Sequence, residues 1–160
     1  MNIVQLFISL GFSQLLIAAK LSKPADAEMS NPLFGNNYWI VESSTIHPAL
    51  DLDMDGKPDT DVLILQEPCD RDDADLFRAD GVILTDWGNI RCDEEEEGIT
   101  ETGTWKFNPQ KQILTIKKDH SRKLMEAKLI QKTSNQLTFT AHHKSSKSEH
   151  VITLKLKRKL

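Results

Sequence analysis

From Gln136 to Lys144 the apolar residues Leu137, Phe139 and Ala141 alternate with Thr138, Thr140 and His142. From His150 to Lys159 the apolar residues Ile152, Leu154 and Leu156 alternate with Thr153, Lys155 and Lys157. A period of two predicts strands with one buried face, and the polar stretch from Ser145 to Ser148 joins the two as a hairpin. Upstream, Gly103 to Phe107 and Gln112 to Lys117 flank Asn108-Pro109-Gln110-Lys111, which predicts a second hairpin. Lys123 to Thr133 places Met125, Ala127 and Leu129 on one face. Adding Asn37 to Ser44, Asp61 to Gln66, Ala74 to Arg78 and Val82 to Trp87 makes nine expected strands and no amphipathic helix. Short consecutive strands joined by tight turns predict an all-β antiparallel fold, an up-and-down barrel or a sandwich.

The segment from Ile3 to Ala19 breaks this pattern, being apolar almost throughout. It turns polar at Lys20 and is followed by Ala25-Asp26-Ala27, a small-x-small cleavage site. Residues 1–27 are therefore expected to be a signal peptide, and residues 28–160 one exported domain, periplasmic or extracellular, with no stable membrane span after cleavage. An uncleaved anchor is the alternative. No cysteine lies at the end of the apolar run to accept a lipid.

A length of 160 residues supports one domain with a sizeable core. The net charge of -4 argues against a generally basic nucleic-acid binder, but it averages over a split. Residues 51–101 carry 18 acids and 4 bases, whereas residues 102–160 carry 3 acids and 14 bases.

Cys69 and Cys92 are the only cysteines, and the midpoint between them falls on the turn dipeptide Asp80-Gly81. A hairpin folded there sets the two thiols opposite one another at its open end. That spacing and an oxidising compartment predict a disulfide, the alternative being two buried free thiols.

The sharpest chemical motif runs from Asp51 to Asp61. Asp51, Asp53, Asp55, Gly56 and Asp59 match positions 1, 3, 5, 6 and 9 of an EF-hand loop, with the Lys57 carbonyl at position 7. Position 12 is Val62 rather than a bidentate Glu, and Asp61 at position 11 is the candidate substitute. Carboxylates at alternate positions converge where glycine turns the chain sharply, and Ca2+ takes six to eight such oxygens. A structural Ca2+ clamp is expected, against the alternative of a solvated acidic turn whose side chains cap their own backbone.

The segment Leu33-Phe34-Gly35-Asn36-Asn37-Tyr38-Trp39, then Cys69-Asp70-Arg71-Asp72-Asp73 leading to Phe77 and Asp80-Gly81, then Cys92, then Gly103-Thr104-Trp105 and Ile113-Leu114-Thr115-Ile116, resembles the small exported bacterial lipocalin-like domains. The resemblance spans residues 33–158 and implies an eight-stranded antiparallel barrel with Cys69 joined to Cys92. Candidate lumen residues are Trp39, Phe77, Trp105, Phe139, His143 and Leu154, with Trp87 as a further candidate. His143 enters this set because it is in phase with Leu137, Phe139 and Ala141, a satisfied structural histidine being the favoured alternative. The expectation is a non-catalytic binding module for a small apolar ligand. A structural or protein-interaction module of the envelope with a solid core is the alternative. No nucleophile, base and orienting residue can be assembled from the sequence, and G-x-S-x-G is absent.

Overall fold

The computed structural model describes residues 33–92, 98–119, 121–145 and 148–160. The expected signal peptide and the acidic run Asp93 to Glu97 lie outside these residues. Among the described residues nine strands follow one another: β1 (Tyr38–Leu50), β2 (Asp59–Asp61), β3 (Ala74–Phe77), β4 (Val82–Asp86), β5 (Ile99–Asn108), β6 (Ile113–Lys118), β7 (Met125–Lys132), β8 (Gln136–Lys144) and β9 (Glu149–Arg158). Every pairing is antiparallel, and each strand from β3 to β8 pairs with the next. β1 closes the sheet by pairing with β9 from Trp39↔Arg158 to His47↔Val151. Eight strands thus form a closed up-and-down barrel, and β2 is an extra short strand on the far half of β1.

One expected strand is corrected. Asp61 to Gln66 is not a strand beyond Asp61, because Val62–Leu65 forms a 3-10 turn. Asp61 accepts a hydrogen bond from the Leu63 amide at 2.9 Å, and this local cap competes with ladder pairing. A second 3-10 turn, Pro68–Asp72, follows. The joining segment therefore crosses one end of the barrel instead of extending its wall. β1 also runs further than expected, to Leu50, because β9 and β2 keep its later residues paired.

Besides the one between β1 and β2, three register shifts in the described barrel ladders reset which residues face inward, since one extra residue shifts a strand's alternation by one position. In β1 the slip falls between Val41 and Ser43, so the inward set changes from Trp39 and Val41 to Ser44 and Ile46. In β5 it falls at Thr102, because Ile83 pairs with Gly103 while Leu84 pairs with Glu101. A third lies between Leu129 and Gln131 in β7.

The barrel is filled at the end where the chain enters. Phe34 is buried and stacks on Phe77 with centroids 3.7 Å apart, and it meets Trp105 edge-on at 5.2 Å. The indole N–H of Trp39 donates to the Phe34 carbonyl at 3.1 Å, and that of Trp105 to the Arg78 carbonyl at 2.9 Å. Both tryptophans thereby bury their rings without orphaning a donor. Ile83, Leu114, Leu137, Phe139 and Leu156 complete this floor. The opposite end carries the long β1–β3 segment and the ends of β4, β6 and β8.

Candidate functional site

Above the aromatic floor the lumen holds a cavity of about 500 Å3. That volume lies within the range of roughly 300–1,000 Å3 found for small-molecule sites. Its walls are mainly apolar: Trp39 and Val41 of β1, Phe77 of β3, Leu114 and Ile116 of β6, and Phe139, Ala141, Ile152 and Leu154 of β8 and β9. Val62 and Gln66 from the first 3-10 turn and its cap, and Asp70 and Arg71 from the second, border it at the mouth.

One wall is polar. Asp75 shares the inward phase of Phe77 on β3, Thr85 that of Ile83 on β4, and Lys118 that of Leu114 and Ile116 on β6. All three line the cavity. The Thr85 hydroxyl donates to Asp75 Oδ1 at 2.6 Å and lies 2.8 Å from the Thr102 hydroxyl. Lys118 Nζ lies 3.4 Å from Asp75 Oδ1 and donates to Thr102 Oγ1 at 3.2 Å. Thr102 reaches this network because the β5 bulge turns it inward. Above it, the Trp87 indole N–H donates to Thr100 Oγ1 at 2.8 Å, which fixes the ring at the rim.

Of the residues expected in the lumen, Trp39, Phe77, Phe139 and Leu154 line the cavity and Trp87 joins them. Trp105 lies in the floor below it, held by Phe34 and Phe77. His143 does not line it and is corrected here: the residue is exposed at the end of β8. Its partner across the ladder, His150, takes the buried position instead. His150 Nδ1 is 2.7 Å from the Pro48 carbonyl and Nε2 is 2.8 Å from Ser148 Oγ, so β1 covers that ring and leaves His143 outside. Sequence reasoning missed Asp75, Thr85 and Lys118, although counting the inward phase along each strand would have found them. No such count finds Thr102, because its strand slips.

The acidic loop gathers part of its expected ligand set. One carboxylate oxygen from each of Asp51, Asp53 and Asp59 lies within 4.8 Å of the others. The Gly56 amide, at a positive φ of 88°, donates to Asp51 at 3.1 Å, and the Leu52 amide donates to Asp59 at 3.0 Å. Asp55 caps the Lys57 amide at 2.8 Å and pairs with the Lys57 ammonium, while Asp61 caps Leu63.

Cys69 and Cys92 are joined as a disulfide with their Cα atoms 5.3 Å apart. It ties the second 3-10 turn to the segment after β4. Asp72 makes a parallel tie, its Oδ2 accepting from the Asn89 amide at 2.7 Å and the Ile90 amide at 3.4 Å. The Asn89 amide holds the Asp72 carboxyl below its ordinary value of 3.8, opposed by desolvation and helped by the Ile90 amide and the charge of Lys159. Comparison with protein-family models, curated proteins and solved structures finds no match for this chain.

Proposed function

We propose that the chain is a lipocalin-like, non-catalytic binding module that holds a small, mainly apolar molecule in its barrel. The single observation that carries this reading is the lumen cavity of about 500 Å3, apolar on most sides and open at one end. A barrel of eight strands has an interior just wide enough either to be filled by side chains or to hold one small ligand. Here the floor half is filled and the mouth half is not, which favours binding over a solid structural module. Burying an apolar molecule there recovers about 25 cal/mol per Å2 of surface removed from water, before the cost of immobilising it.

Two further parts of the reading rest on other features. Export suits the disulfide, because such bonds persist in oxidising compartments. Amino-terminal sequencing of the native product is its test, and an intact Met1 on cytosolic protein would refute it. A structural Ca2+ in the loop between β1 and β2 is supported by the convergence of Asp51, Asp53 and Asp59.

Titration with the neutral, environment-sensitive probe N-phenyl-1-naphthylamine tests the binding reading. Saturable fluorescence enhancement is expected from the folded protein, and Ala141→Trp, which places an indole in the lumen, is expected to remove it while melting stays cooperative. Absence of saturable binding by the unaltered protein overturns the reading and leaves the structural module in its place.

A further inference from the structure

Charge at the mouth and on the polar wall narrows the ligand class, on the premise that the lumen binds a small molecule. The charged side chains that line the cavity are Asp70, Asp73, Asp75 and Glu126 against Arg71 and Lys118. The part of the β1–β3 segment that borders the mouth, residues 62–73, carries four acids and one base. The excess of acids over bases gives the mouth a net negative field, and low-dielectric walls let such a field raise the local concentration of cations. An amphiphile entering head-last keeps its polar group at this level, because the floor beneath offers only the closed aromatic cluster.

On the inner wall, Asp75 Oδ1 is engaged by the Thr85 hydroxyl at 2.6 Å, whereas Oδ2 makes a long contact with Lys118 Nζ at 3.5 Å. A carboxylate oxygen has two lone pairs, so Oδ2 retains capacity for a further N–H donor. Asp75 and Lys118 keep side-chain exposures of 32% and 35%, which leaves both within reach of a guest. A carboxylate guest would find Lys118, but also Asp75 beside it and an acidic mouth around it. An ammonium guest finds Asp75 and Glu126, with Lys118 as the opposing charge and free to lean on Thr102 at 3.2 Å.

We propose that the lumen selects cationic amphiphiles, an alkylammonium-type head on an apolar body, with Asp75 receiving the ammonium and Lys118 setting the limit on its affinity. The alkyl or ring body lies along Ile116, Phe139, Ile152 and Leu154.

Displacement of bound N-phenyl-1-naphthylamine by n-dodecylammonium, n-dodecanol and n-dodecanoate, each below its micelle concentration at neutral pH, tests this. The ammonium is expected to bind about tenfold tighter than the carboxylate, the scale of one half-buried charge contact. Asp75→Asn should lower that preference and Lys118→Met should raise it. Opposite movements by two neighbouring substitutions are not what misfolding of either would give. If the carboxylate binds as tightly as the ammonium or tighter, or if the two substitutions shift the preference the same way, the charge assignment is overturned and the lumen remains a binding site. If the naphthylamine itself does not bind, the binding reading falls and this assignment falls with it.

Discussion

A β-carbon built on Gly88 would collide with the carboxylate of Asp72. The two residues are neighbours only because the second 3-10 turn folds against the segment leaving β4. Gly88 also has a positive φ of 67°, a conformation that L side chains rarely adopt. The missing side chain therefore serves both the local backbone and the approach of Asp72 to the Asn89 amide.

Gly88→Ala is expected to destabilise the fold by about 1–2 kcal/mol from the left-handed backbone alone, and by more once Asp72 is pushed off its amides. Asp72→Ala should relieve the second part. The double variant is then less destabilised than the sum of the singles, measured by urea unfolding.

Asp72 also carries a pH signature. Its folded-state pKa lies below the ordinary value of 3.8, so the stabilisation is fully present above that value and is lost as pH falls through the lowered one. The gap in melting temperature between the unaltered protein and Asp72→Ala should stay level near neutrality and close as pH drops below 3.8. A gap that persists unchanged at the lowest pH would show that packing, not charge, makes the tie.

Removing the disulfide by Cys69→Ser with Cys92→Ser opens a loop with a sequence separation of 23. Chain entropy assigns such a loop about 3 kcal/mol. The loss in urea unfolding should stay within that figure, since Asp72 still pins the same two segments. The larger effect is expected at the cavity mouth, as faster proteolysis between residues 62 and 92 in the absence of reductant.

Calcium linkage follows from the convergence of Asp51, Asp53 and Asp59. Binding confined to the native state stabilises by about 2.7 kcal/mol at a hundredfold excess over Kd. Melting temperature should rise with millimolar Ca2+ and fall with chelator, and Asp53→Ala should abolish the difference. Mg2+ should substitute poorly, because it demands shorter bonds and near-ideal octahedral geometry. Equal melting temperatures in Ca2+ and chelator at matched ionic strength would leave the loop a self-capped acidic turn.

The sequence alone determined the fold class, since alternation at Leu137, Phe139 and Ala141 and at Ile152, Leu154 and Leu156 is a local signal that survives wherever a strand is regular. It also determined the β3–β4 hairpin and its disulfide, because spacing about Asp80-Gly81 sets a register that two cysteines can close. Only the tertiary structure decided that Val62–Leu65 turns across the barrel end, since the Asp61 cap is a local alternative to ladder pairing and which prevails depends on whether a partner strand lies alongside. Only it decided that His150 rather than His143 is buried, because both have the inward phase and β1 covers just one. The polar wall lay half in view: Asp75 and Lys118 keep the alternation of their strands, but Thr102 reaches them through a bulge, and a one-residue slip depends on the partner strand rather than on the residues that slip.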